Sequence, residues 1–233
     1  ATMSFSGPEE ATGYINQWFG EGEVVDEDEF VNAWRKEKGV ENHPVTFKLF
    51  SLTANPGSAV VSIRGSESLF DWTTDIHLWS CAALAQMVRA ILPVGWMWNP
   101  ILDELVYIVN SVQSEKLKRA SYYRVTAAFV RDLQNGYTFG GKKFEDIRVT
   151  GASLGGGLAI ITGAQTGAST VSISGLNAML SRRTFDPPIT EEQLNTRVFN
   201  VIPERDYIAA IDDPGQLYQR LQCRAPVSAI FPG

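Results

Sequence analysis

Apolar and polar positions along the 233-residue chain change period several times, and each change marks an element. Phe30, Val31 and Trp34 recur at helical spacing behind Asp26 and Glu29, which have the spacing of a capping box, and predict a helix that ends near Gly39. Two β-rich runs follow, Val45–Thr53 and Ser58–Arg64, and the Asn55-Pro56-Gly57 between them predicts an antiparallel hairpin. Helical periodicity dominates from about Leu69 to Leu133, with Gly136 as its stop. Strands return at Ile147–Thr150, Val171–Ser174 and Arg197–Ile202. Strands alternating with helices predict an α/β fold with a mostly parallel central sheet flanked by helices. Within the helical region, Ile76 to Pro100 is a long apolar and aromatic insertion. His77, Gln86, Arg89 and Pro93 interrupt it, so no transmembrane span is predicted.

Composition narrows this picture without redirecting it. An apolar content of 44% over 233 residues buries a core without metals or a disulfide framework, and no repeat, low-complexity tract or linker divides the chain. A single domain over residues 1–233 is expected. Cys81 and Cys223 are too few for a scaffold and leave one bridge, two thiols or an outside partner as alternatives. A net charge of −6 argues against nucleic acid as a partner. The densest charge run, Glu21 to Glu29, reads as a solvated helix start. Ala1 to Glu10 has no basic stretch leading into an apolar core, so no signal peptide is expected there, and the localisation is left open between soluble and peripherally membrane-associated.

The candidate chemistry is concentrated at 147–157. Ile147-Arg148-Val149-Thr150 reads as a buried strand that runs without a linker into Gly151-Ala152-Ser153-Leu154-Gly155 and then a helix. That is the strand, turn and helix context of a nucleophile elbow, in which G-x-S-x-G holds a serine hydroxyl clear of the backbone. Small side chains around Leu158 to Ala164 suit close packing of the helix on strands. Phosphate-cradling alternatives fail, since Gly156 is followed by Gly157 rather than lysine and no G-x-G-x-x-G occurs. Ser153 is therefore the candidate nucleophile, and the backbone N–H of Leu154 one oxyanion donor. Strand carboxyl ends are where α/β folds assemble their sites, and Asp206, just past Arg197–Ile202, is the candidate acid.

A second segment makes the reading specific. Val60-Val61-Ser62-Ile63-Arg64-Gly65-Ser66 leads into Asp71-Trp72 and Asp75-Ile76. Taken with the Gly-x-Ser-Leu-Gly-Gly elbow, this pattern resembles the class 3 (fungal-type) triacylglycerol lipases, from about Val60 to Asp206. Ala152 stands where that family most often has histidine. The resemblance implies an α/β-hydrolase-like fold, Ser66 as the second oxyanion donor, Asp206 as the triad aspartate in the order Ser, Asp, His, and no cofactor or metal. It also implies a helical lid in the apolar segment, a lipid ester as substrate, and action at a lipid–water interface. The residues of that segment themselves allow equally a buried helical hairpin packed on the sheet. In that order the base should follow Asp206, yet the only histidines are His43 and His77. Both are expected to be structural, and the domain is expected to lack a C-terminal piece that carries the base. The expected function is a serine ester hydrolase of triacylglycerol lipase type. The alternatives are a phospholipase A1, a soluble-ester esterase, or a non-catalytic lipid-binding or scaffold domain of the same fold.

Overall fold

In the computed structural model, residues 8–65, 79, 104, 122–206 and 208–222 are described. Helix α1 (Pro8–Phe19) leads to a short strand β1 (Val24–Asp26) and helix α2 (Asp28–Lys38), followed by β2 (Phe47–Leu52) and β3 (Asn55–Ile63). After these come α3 (Tyr122–Gln134), β4 (Asp146–Ala152), α4 (Leu154–Thr166), β5 (Ser169–Ile173), α5 (Glu191–Arg197), β6 (Val198–Pro203) and β7 (Tyr218–Leu221). The seven strands form one sheet in sequence order. β1, β2 and β3 pair antiparallel, and every pair from β3 to β7 is parallel. The result is a mostly parallel sheet flanked by helices, an α/β-hydrolase-like fold. Among the described residues no helix is long and apolar enough to cross a membrane.

Two local expectations are corrected. The antiparallel pair β2 and β3 is present, but Leu52 pairs with Asn55, so the chain reverses at Thr53 and Ala54. Asn55, Pro56 and Gly57 open β3, opposite a register shift between Ser51 and Leu52. Proline has no N–H for a ladder and is tolerated where the ladder is interrupted. The Gly57 carbonyl is satisfied instead by Glu145 N–H at 2.8 Å. The capping box of Asp26 and Glu29 does not form either. Asp26 lies in β1, where its carboxylate accepts from Lys48 Nζ at 2.6 Å, and the residue before α2 is Glu27, whose side chain makes no cap bond. Buried Glu27 instead accepts from Ser51 Oγ at 2.6 Å and from Lys142 Nζ at 2.7 and 2.6 Å. Charge-assisted bonds to a buried carboxylate outweigh one exposed cap.

The predicted apolar face of α2 is the buried one, and Gly39 ends the helix in the left-handed conformation, φ 65°. Trp34 packs edge-on against Phe129 of α3 at 4.9 Å between ring centroids, and its indole N–H donates to Asp132 at 2.8 Å. Phe129 also meets Phe47 of β2 at 4.9 Å, so α2, α3 and β2 share one aromatic cluster. Helix α4 is buried from Leu154 to Ala164, between α3 and the sheet, with Thr126 and Thr162 hydroxyls hydrogen-bonded at 2.6 Å across the two helices. The apolar insertion at 76–100 lies outside the described residues except for Trp79. That indole is fully buried against Phe185 and donates to the Asn177 carbonyl at 2.6 Å.

Packing decides what a methyl group does at two glycines inside helices. A Cβ on Gly163 of α4 collides with Thr170 Oγ1 and lies 2.8 Å from Thr170 Cβ, whereas one on Gly13 of α1 meets nothing within 4 Å. Alanine raises helix propensity by up to about 1 kcal/mol at either site. We expect Gly13→Ala to stabilise the fold by a few tenths to about 1 kcal/mol, and Gly163→Ala to destabilise it by roughly 1–3 kcal/mol through overpacking. Denaturant unfolding of both variants checks this, and equal shifts of the same sign would refute the packing account.

Candidate active site

The polypeptide passes from β4 into α4 with Ser153 as the only residue between them. Its backbone takes φ 56°, ψ −127°, a conformation that costs a side-chain-bearing residue roughly 1–3 kcal/mol and survives only where the surroundings impose it. They do so by direct backbone contact. A Cβ on Gly151 would overlap the Gly155 carbonyl, one on Gly155 would stand 2.5 Å from Ile63 O and Arg64 C, and one on Gly156 would stand 2.8 Å from Gly175 Cα. The first turn of α4 is therefore pressed onto the ends of β3 and β4 and the exit of β5 at once. Ser153 N–H donates to Ile173 O at 3.0 Å, and the Ser153 carbonyl accepts from Gly157 N at 3.1 Å. Ser153 Oγ has no hydrogen-bond partner among the described residues.

Leu154 has a buried side chain, and its N–H is among the first of α4, which have no acceptor within a helix. Because Gly155 rests on Ile63 and Arg64, the Arg64-Gly65 end of β3 runs beside the elbow, and Arg64 N–H is tied back to Thr46 O at 3.0 Å. Ser66 follows immediately in sequence but lies outside the described residues. At the neighbouring strand end, Asp206 stands past β6. Its Oδ1 accepts from Ile208 N at 3.0 Å and Ala209 N at 3.3 Å, and its own N–H donates to Pro203 O at 3.2 Å. Oδ2 has no partner among the described residues. Asp206 is half-buried on a cavity of about 290 Å³ that Asn177, Ile202, Arg220 and Asp213 also line.

Parallel register places Ser153 and Asp206 on one edge. Ala152 pairs with Ile173, and Ile173 with Val201, so the two residues leave strands two places apart, roughly 10 Å at the usual spacing. An imidazole hydrogen-bonded at both nitrogens bridges a gap of that order. His43 is on the wrong side for it. β2 starts at Phe47 opposite Ile63, so His43 reaches the same edge but on the far side of Ser153 from Asp206. It is also engaged: Nδ1 accepts from Val45 N at 3.3 Å, the ring meets Tyr122 edge-on at 5.5 Å, and Arg35 donates to the His43 carbonyl at 3.3 Å. Burial, and then the Arg35 charge, push the His43 pKa down. His77, Cys81 and Cys223 lie outside the described residues. Among the described residues no cluster of histidine, cysteine, aspartate or glutamate is arranged to hold a metal ion.

Three polar residues stand around this edge, and two of them, Asn177 and Asn200, escaped the sequence reading. Asn177, Asn200 and Asp212 are all buried. Asn200 carried a usable signal, since asparagine is depleted in strands and stands mid-run in Val198-Phe199-Asn200-Val201-Ile202. Asp212 Oδ1 accepts from Leu180 N at 2.7 Å, and Oδ2 from Ser181 N at 3.0 Å and Ser181 Oγ at 2.7 Å. Burial outweighs those three donors and pushes its pKa up from 3.8 to about 7.

With the geometry in view, the comparisons place the chain among known proteins. Residues 60–212, from within β3 to Asp212, match the model of the family Lipase (class 3), and the chain belongs to that family. It is thus assigned to the lipase and esterase class of carboxylic ester hydrolases. Among solved structures the chain is similar to carboxyl esterase 2 from the mycorrhizal fungus Tuber melanosporum, with 10% identity over 76% of this chain and 71% of that one, at a TM-score of 0.31. No curated protein sequence matches the chain.

The buried carboxyl makes a pH prediction with a definite sign. Folded Asp212 holds its proton up to about pH 7, while the unfolded residue loses it near 3.8, so its contribution is complete below pH 4 and is lost as pH rises to about 7. Asp212→Asn should remove that slope, so that the unfolding free energy of wild type relative to the variant falls by a few kcal/mol between pH 4 and 7 and is level above. Urea unfolding at pH 4, 5.5 and 7.5 measures the difference. A difference constant across these pH values contradicts the assignment.

Proposed function

We propose that this protein is a serine ester hydrolase that cleaves lipid esters of the acylglycerol type through an acyl-enzyme on Ser153. The observation that carries this reading is the backbone of Ser153, held at φ 56° between strand and helix by glycine contacts on three sides, with no hydrogen bond to Oγ among the described residues. A fold has no structural use for a strained serine at that joint, whereas a nucleophile has to stand there. Family membership supports the same chemistry.

In this reading Ser153 Oγ bonds to the ester carbonyl carbon as its proton passes to an imidazole. The carbonyl oxygen takes up the electron pair and is met by the N–H of Leu154 and by Ser66, the latter through its N–H and its hydroxyl. Collapse expels the alkoxide, which takes the imidazole proton, and water then repeats the cycle on the acyl-enzyme to release the fatty acid. Asp206 orients the imidazole through Oδ2 and stabilises its charged form, while Oδ1 is held by two backbone N–H groups. The imidazole comes from outside the described residues, because His43 is engaged on the opposite side of Ser153.

A fluorophosphonate probe should label Ser153 in the complete protein. Ser153→Ala should abolish labelling and lower ester hydrolysis by several orders of magnitude. Asp206→Asn should lower kcat by on the order of a thousandfold or more with KM little changed. Ser66→Ala, which keeps the N–H and removes only the hydroxyl, should lower kcat by up to about a hundredfold. Assays on an emulsified triacylglycerol and on a short soluble ester separate lipase from esterase preference. Hydrolysis that survives Ser153→Ala would sink the assignment, and a wild type inert to the probe favours a non-catalytic domain of lipase fold.

A further inference from the structure

Two residues that must cooperate across two strands need something to fix their spacing, and the buried amides between them do so. Asn200, in the middle of β6, pairs with the backbone of Gly175 on both sides: its Nδ2 donates to Gly175 O at 3.0 Å and its Oδ1 accepts from Gly175 N at 3.4 Å. This double pairing leaves the Asn200 amide one orientation. Its second N–H then faces Asn177 Oδ1 at 2.8 Å, which obliges Asn177 to point its own Nδ2 the other way, at Ala209 O, 2.6 Å off. Ala209 in turn donates its N–H to Asp206 Oδ1. At the other end Gly175 lies directly on Gly156, where a Cβ on Gly175 would stand 3.0 Å from Gly156 Cα. The series runs unbroken from the first turn after Ser153 to the carboxylate of Asp206. Asn177 and Asn200 are 3% and 2% exposed, so water does not compete for these bonds.

We propose that Asn177, oriented by Asn200, is a positioning residue that sets the carboxylate of Asp206 relative to Ser153. The proposal rests on the roles assigned to those two residues above. A buried satisfied amide pair holds its neighbours more narrowly than apolar packing, because each donor has one acceptor and a shift leaves both unpaired. Catalysis senses that directly, since misplacement by about 1 Å costs on the order of a hundredfold in rate. Asn177→Asp keeps the size and an oxygen that faces Asn200 but adds a carboxyl, so the neutral Asn177→Ser, too short to hold both Asn200 Nδ2 and Ala209 O, is the cleaner variant.

The test compares wild type, Asn177→Asp, Asn177→Ser and Thr190→Ala in the complete protein. Thr190 caps α5 by accepting from Gln193 N, away from the asparagine series, and its loss costs stability without touching Asp206. The readouts are kcat and KM on a soluble ester, the pH profile of kcat, and amide hydrogen exchange at Ile208 and Ala209. Both Asn177 variants should lower kcat about ten- to a hundredfold at unchanged KM. The neutral Asn177→Ser should also move the acid limb of the profile to lower pH, as the imidazole loses part of its counter-charge, and both variants should speed exchange at Ile208 and Ala209. Thr190→Ala should do none of these. Folded Asn177 variants with wild-type kcat and pH profile overturn the proposal, whatever their stability. A wild type that fluorophosphonate does not label overturns the enzyme reading instead. Exchange at Ile208 and Ala209 then decides the coupling alone, and protection unchanged in both Asn177 variants overturns it.

Discussion

Backbone lying against backbone at the start of α4 is the constraint on which the remaining architecture hangs. Helices ordinarily pack on sheets through side chains, at separations that leave a strand end and a helix end well apart. Here Gly151, Gly155 and Gly156 remove those side chains, and the first turn of α4 drops onto β3, β4 and the exit of β5 together. Three consequences follow from one contact. Ser153 is forced to φ 56°, its side chain makes no cap bond to the helix, and the end of β3 is brought beside the helix N-terminus, where the first backbone N–H groups have no acceptor within the helix. Strain at Ser153 is thus balanced by burial along α4 from Leu154 to Ala164.

Beyond that joint, the edge of the sheet is organised by polar groups. The loop after β6 is stitched to the segment after β5 by Asn177 on Ala209, by Met179 N–H on Asp213 O at 3.2 Å, and by the Asp212 carboxylate on Leu180 and Ser181. Parallel strands leave their loops on one edge but do not fix one loop against another, and apolar packing tolerates small slides. Hydrogen bonds away from water do not, because a slide strands both partners. Rigidity where Asp206 stands therefore comes from a few buried amides and one carboxyl with an elevated pKa, a group whose burial costs stability as it ionises.

The antiparallel end of the sheet has a different physical basis. Trp34, Phe47 and Phe129 join α2, β2 and α3 through their rings, and Glu27 ties the start of α2 to Ser51 and to Lys142. Arg35 does the same for the approach to β2, donating to the His43 and Val45 carbonyls while its guanidinium lies 4.7 Å over Phe47. His43 is one more strut in this assembly, which is why a histidine at the right edge of the sheet serves structure.

What the amino-acid sequence determined by itself was whatever rests on neighbours within a few residues. The spacing of Gly151, Ser153 and Gly155, the apolar face of Phe30, Val31 and Trp34, the stop at Gly39 and the strand cores of β4, β5 and β6 all express short-range sterics and period, and all were legible. Short elements were not. β1 has three residues and β7 four, all exposed in β7, too little for a period to show. The Thr190 and Gln193 capping box of α5 follows a local rule, a threonine with a glutamine three residues on. Tertiary structure decided the choices that depend on distant partners. Glu27 takes Lys142, 115 residues away, instead of a cap; Asn177 finds Ala209, 32 residues on; and Trp79 reaches Asn177 across 98 residues. Burial alone distinguishes Asp212 from any other loop aspartate, and sheet order alone puts His43 on the side of Ser153 away from Asp206. A local pattern fixes conformation because its atoms are already adjacent. Which polar group ends up facing which is settled only when the sheet assembles and water leaves.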